Sequence, residues 1–176
     1  MKKYVCILRG INVGGHNKIL KDDLIELFEC LNYKFVNTYI QSGNIGFSTS
    51  ENRSTSDLAI DIQLAIADEF DLGVPVIVRS QNEMEEIVKN NPFDTEENVH
   101  LTFLKEIPSK EELEIIKKYN FTPDEYKIIG KNVYLKCGDK YSKTKLNNQF
   151  FERYLKVKAT TRNWKTVKKL NQLSGN

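Results

Sequence analysis

The chain has 176 residues, 40% hydrophobic and 28% charged, with a net charge of +2. That length holds one medium domain or two small ones, and the composition is that of a globular chain, not a disordered one. No apolar run approaches the roughly 20 residues of a membrane-spanning helix. The apolar residues 4–8 stop at Arg9, too soon for a signal-peptide core, so cytoplasmic residence without membrane association is expected.

Residues 4–8 read as a central strand. Leu20, Leu24, Leu27, Phe28 and Leu31 then recur on one helical face. Residues 36–41 and 45–48 are strand-like, and Ser42-Gly43-Asn44 between them suits a tight hairpin. Leu58, Ile62, Ala65, Ile66 and Phe70 mark a second amphipathic helix, which Gly73 is expected to end before a β-branched strand at residues 74–78. The order β-α-β-β-α-β is that of a ferredoxin-like unit. Ser80 and Glu83 form a capping box for a connecting helix. Asn91-Pro92 breaks that helix, because proline disfavours helix in the residue before it.

The theme then recurs. Residues 99–104 are a strand, and Ser109 with Glu112 caps a helix. Residues 126–129 and 133–137 form a hairpin about Gly130-Lys131-Asn132. A helix at residues 146–155 and a short strand at 157–160 follow, then a last helix at 163–173 with Thr161 as its N-cap. The expected fold class is α+β, with tandem ferredoxin-like (β-α-β-β-α-β) units and an extra C-terminal helix. Residues 1–91 form the first unit with its connecting helix, and residues 92–176 a second α+β unit ending in a basic helix.

Cys6, Cys30 and Cys137 are widely spaced, and His16 and His100 are the only histidines. No metal site is expected from that pattern, and the thiols read as packed small hydrophobes. Charge is unevenly spread. Residues 139–176 hold eight lysines and two arginines against Asp139 and Glu152, which leaves residues 1–138 net acidic. A basic segment suits an anionic partner, and equally a solvated helical face docked on an acidic neighbour.

Between the first strand and first helix runs Leu8-Arg9-Gly10-Ile11-Asn12-Val13-Gly14-Gly15-His16-Asn17-Lys18. It matches neither a P-loop nor a dinucleotide fingerprint. A glycine-rich turn into a helix offers backbone N–H groups to an anion. Arg9 would clamp a phosphate or carboxylate, Lys18 would add a point charge, and His16 would donate or transfer a proton. The candidate ligand-binding residues are Arg9, Asn12, Gly14, Gly15, His16, Asn17 and Lys18, with Arg162 from the second unit. The same residues also suit a long structural loop, in which Asn12 and Asn17 satisfy local backbone and Arg9 pairs with an acid such as Asp22.

The hairpin Tyr39-Ile40-Gln41-Ser42-Gly43-Asn44 carries polar groups that turns use for their own hydrogen bonds. With the first and third strands taken as parallel, that hairpin lies at the opposite end of the sheet from the glycine loop. The two are then not expected to share a small ligand. Arg162, a cation opposing the dipole of the helix expected there, is either a ligand contact or an interdomain ion pair. Trp164 reads as a core or interdomain anchor. No nucleophile, base and orienting group can be assembled from spacing, so catalytic residues and cofactors stay unassigned.

The glycine segment from Leu8 to Gly15, the Tyr39–Asn44 hairpin, Asn91-Pro92-Phe93 and Thr161-Arg162-Asn163-Trp164 together resemble the DUF1697 family of bacterial proteins. The resemblance covers nearly the whole chain, with four motifs in order. It implies a cytoplasmic α+β protein with a ferredoxin-like part, and it carries over no catalytic residues.

The leading functional expectation is binding of a small anionic metabolite, phosphorylated or nucleotide-like, at the glycine loop, with or without turnover. A nucleic-acid module is the alternative: Tyr39 and Phe47 would stack on bases and the basic segment would contact phosphates, although no RNP1-type string is present. A non-catalytic interaction or structural role is the third. Oligomeric state is not legible.

Overall fold

The structure, a computed structural model, describes residues 1–39 and 43–175. Ile40, Gln41 and Ser42, assigned above to the first hairpin, lie outside the described residues. Contacts divide the chain into Met1–Val88 with Lys168–Asn176, and Lys89–Val167.

The first unit contains β1 (Lys2–Leu8), α1 (Lys21–Cys30), β2 (Lys34–Thr38), β3 (Asn44–Thr49), α2 (Thr55–Phe70) and β4 (Val76–Ser80), followed by α3 (Gln81–Lys89). Its sheet runs β2-β3-β1-β4, with every neighbouring pair antiparallel. Tyr4, Cys6 and Leu8 alternate along β1, as do Ile45 and Phe47 along β3. They meet Leu24, Leu27 and Phe28 of α1 and Leu58, Ile62 and Ile66 of α2 in one core. Phe47 stacks within it, its ring 4.6 Å from Tyr33 and 5.5 Å from both Tyr4 and Phe28.

Local chemistry sets the helix ends. Ser54 accepts the Asp57 N–H at 3.1 Å to open α2. Asp71, left-handed at φ 53°, closes it by donating its N–H to the Ala67 carbonyl at 3.0 Å. The helix therefore stops before Gly73. Both capping boxes form, Ser80 with Glu83 and Ser109 with Glu112. α1 differs: Leu20 at its N-cap has no capping side chain, and it is 62% exposed where the periodicity placed it on the buried face.

The second unit contains β5 (Val99–Leu104), α4 (Lys110–Ile116), β6 (Glu125–Ile129), β7 (Asn132–Lys136), a single 3₁₀ turn (Tyr141–Lys143), α5 (Asn148–Leu155) and β8 (Ala159–Asn163). Helix α6 (Trp164–Gly175) follows. Its sheet, β6-β7-β5-β8, repeats the strand order of the first and is again antiparallel throughout. The chain is thus an α+β protein of tandem ferredoxin-like units. The repeat reaches individual backbone hydrogen bonds. Leu8 N–H donates to Gly43 at 2.7 Å where Leu104 N–H donates to Lys131 at 2.9 Å. Arg9 N–H donates to Pro75 at 3.1 Å where Lys105 N–H donates to Lys158 at 2.8 Å.

Two expectations are corrected. β1 and β2 each pair antiparallel with β3, so β1 and β3 are not parallel. The α1 crossover returns β2 in the direction of β1, and the hairpin then reverses β3. Thr161 is not a helix cap either. It and Arg162 lie in β8, paired with Thr102 and Leu101 of β5. Asn163 opens α6, its Oδ1 accepting the Thr166 N–H at 2.8 Å. Asn163→Ala should therefore cost about 1 kcal/mol of stability, read as a lower urea midpoint with an unchanged slope.

Candidate functional site

Ile7 of β1 pairs with Asn44 of β3, so β1 ends where β3 begins. The loop of residues 9–20 and the turn entering β3 consequently meet at one end of the sheet. The Leu8–Gly43 hydrogen bond joins them. Gly43 has φ +73°, and a Cβ there would lie 2.6 Å from Leu8 Cβ and 2.9 Å from Ile11 Cδ1. Only glycine permits that approach. The expectation that these two segments lie apart is overturned.

The loop is itself a small hairpin. Asn12 N–H donates to the Asn17 carbonyl at 3.1 Å, and His16 N–H to the Val13 carbonyl at 3.0 Å. Gly14 and Gly15 at the tip have φ of 59° and 80°, the signature of a type I′ turn. The Asn12 side chain brackets Ile19, accepting its N–H at 3.1 Å and donating to its carbonyl at 3.0 Å. Asn17 Nδ2 donates to the Gly10 carbonyl at 3.0 Å. Both asparagines hold the loop's own backbone, which satisfies groups that would otherwise face a ligand. In the second unit residues 105–109 make the corresponding connection with no such hairpin. The longer loop is therefore an addition to the repeat, not a requirement of it.

Between loop, helix and sheet lies a cleft of about 320 Å³. Ile11, Ile19, Leu20 and Leu24 supply apolar walls, and Lys18 and Lys21 line it with Asn12, Thr38, Gly43 and Asn44. No carboxylate lines it among the described residues, and neither lysine has an ion-pair partner among them. Asp22 and Asp23 in the first turn of α1 occupy the positive end of that helix's dipole. The positive charge lining the cleft is therefore that of the two lysines, not of the helix terminus.

The candidates named from sequence separate here. Asn12 and Lys18 line the cleft. Gly14, Gly15, His16 and Asn17 are exposed on the hairpin and do not line it, and Arg9 is half-buried outside it. Arg162 lies in the other unit, its Nη1 donating to Thr160 Oγ1 and to the Thr161 carbonyl, both at 3.0 Å. Sequence reading missed Leu20, Lys21 and Thr38. Lys21 was visible as a basic residue beside the loop, whereas Thr38 is brought in only by strand direction. Phe47, proposed for base stacking, is 2% exposed in the core.

A second pairing also escaped the spacing. Cys137 Sγ lies 4.0 Å from His100 Nδ1, and the His100 ring stacks on Tyr141 at 4.8 Å. Burial pushes the thiol up to about 11 and lowers the imidazole. The neutral pair is therefore favoured over thiolate and imidazolium, which argues against a cysteine nucleophile here. Among the described residues no group of three His, Cys, Asp or Glu side chains could hold a metal ion. No helix among them is long and apolar enough to cross a membrane.

The tandem ferredoxin-like fold with a loop-built cleft defines the structural class. The chain belongs to the DUF1697 family, described as proteins of unknown function, whose model matches residues 1–134. That span includes the glycine loop, the first hairpin and Asn91-Pro92-Phe93, and it ends before the Thr161–Trp164 motif. The chain is similar in fold to the conserved bacterial protein SP0830 from Streptococcus pneumoniae, at 22% identity and a TM-score of 0.79 over 98% of each chain. No curated protein matches it.

Two outcomes check this geometry. Gly15→Ala, with nothing within 4 Å of the added Cβ, should cost about 1–2 kcal/mol from backbone conformation alone. Gly43→Ala should cost about 2–5 kcal/mol, because overlap with Leu8 and Ile11 is added. Equal losses in urea denaturation would remove the close approach from the argument. Alkylation at pH 7.5 should label Cys30, which is exposed, while buried Cys6 and Cys137 react only after unfolding.

Proposed function

We propose that this protein binds a small anionic ligand in the cleft between the residue 9–20 loop and the start of β3. The observation that carries the reading is the pair Lys18 and Lys21, which line a cleft with no lining carboxylate and have no ion-pair partners among the described residues. Two ammonium groups beside apolar walls attract a negative charge more strongly than they would in open water. The volume falls at the small end of ligand clefts, which span about 300–1,000 Å³.

Among the described residues the lining holds two lysines and no imidazole, thiol or carboxylate, so a proton-transfer role there would fall to a lysine. His16 stands nearby on the hairpin but outside the lining. The glycine loop then serves as scaffold: its turn and asparagines set the backbone that carries Lys18.

The test is thermal shift against inorganic phosphate, a sugar phosphate, adenosine monophosphate, simple carboxylates and a short oligonucleotide. A ligand at 100 times its dissociation constant adds about 2.7 kcal/mol, or roughly 5–10 °C for a chain of this length. Lys18→Ala combined with Lys21→Ala should remove the shift and leave the melting temperature of the free protein within about 4 °C, since each exposed substitution ordinarily changes stability by about 0.5 kcal/mol or less. A shift that survives the double substitution would place the ligand elsewhere.

A further inference from the structure

The two amide side chains of the cleft, Asn12 and Asn44, are already occupied, and this restricts what can lie in it. Asn12 is tied to Ile19 through both its amide nitrogen and its oxygen. Asn44, fully buried, donates Nδ2 to the Tyr39 carbonyl at 3.1 Å, while Tyr39 N–H donates back to Asn44 O at 2.9 Å. Neither amide can turn to a sugar hydroxyl or a base edge without opening its own loop. What the described walls leave for a ligand is two ammonium groups, the Thr38 hydroxyl and hydrocarbon.

Leu20 is the second observation. It occupies the N-cap of α1, where serine, threonine, aspartate or asparagine would satisfy the first-turn N–H groups. It makes no capping bond there and holds its side chain 62% exposed on the wall of the cleft. Neither helix formation nor core packing accounts for a leucine in that position. Val13, across the loop hairpin from His16, is likewise 63% exposed. An apolar surface beside two lysines matches a ligand that is itself divided into a charged head and a hydrocarbon body.

We infer that the ligand is a compact amphiphilic anion: a carboxylate or phosphate monoester carried on a hydrocarbon body. The head lies at Lys18 and Lys21, and the body lies against Leu20, Ile19 and Ile11. This rests on the binding site proposed above and names the ligand class for it.

Calorimetric titration of the intact protein with n-alkanoates from propanoate to octanoate, and with the matching n-alkyl phosphates, tests both. Affinity should rise about fourfold for each methylene that enters the cleft, then level off when the body outgrows it. The better of the two series identifies the head. Leu20→Ser is the diagnostic variant, because serine suits an N-cap and should hold or raise the melting temperature. It should nonetheless flatten the dependence on chain length. An unchanged dependence in Leu20→Ser overturns the inference. Binding of inorganic phosphate or adenosine monophosphate with no gain from an alkyl chain, lost on Lys18→Ala with Lys21→Ala, overturns the ligand class and leaves the site standing. No heat from any of these probes overturns both readings.

Discussion

The hydrogen bond from Leu8 to Gly43 is the constraint on which the rest of the first unit's chemistry depends. It joins the last residue of β1 to the residue that enters β3, and it does so at 2.7 Å. The contact exists because β1 and β3 are antiparallel, and because Gly43 presents no Cβ to Leu8 and Ile11. With that stitch in place the loop is anchored at its root. Asn12 and Asn17 then fold the remainder on itself, so Lys18 reaches the cleft from a backbone that has little freedom.

The second unit makes the same stitch, Leu104 to Lys131, with a short connection in place of the hairpin. The comparison separates scaffold from addition. A four-stranded antiparallel sheet needs its chain returned at this end, and residues 105–109 do that alone. The extra residues of the first unit carry glycines, asparagines and a lysine that the fold does not demand. Loops of this kind, positioned by a rigid sheet, are where binding groups concentrate.

Charge is arranged to the same effect. Asp22 and Asp23 stabilise the start of α1 by meeting its dipole, yet they do not line the cleft. Lys18 and Lys21 precede them in sequence and do. In the second unit burial favours the neutral forms of His100 and Cys137, since the imidazole is pushed down and the thiol up. The hydroxyl of Thr161 is similarly absorbed, 2.7 Å from Thr102 Oγ1 and from Asn148 Oδ1. A polar residue in a recognisable motif is thus often a structural partner, and Arg162, bonded to its own strand, is another example.

The amino-acid sequence by itself determined the elements and their order, both capping boxes, the tandem βαββαβ plan and the presence of an unusual loop after β1. Those features depend on residues within a few positions of each other, where periodicity and capping chemistry act directly. The helix ends at Asp71 and Asn163 were misplaced for a related reason, because residues other than glycine can take the left-handed turn and strand pairing to β5 lengthened β8. Only the tertiary structure decided which segments meet. The direction of β3 relative to β1 brought Thr38, Gly43 and Asn44 to the glycine loop, and it sorted Asn12 and Lys18 into the cleft while leaving Gly14, Gly15 and His16 outside. Strand direction is a property of the whole sheet, set by crossover and hairpin together, and no local pattern of side chains carries it.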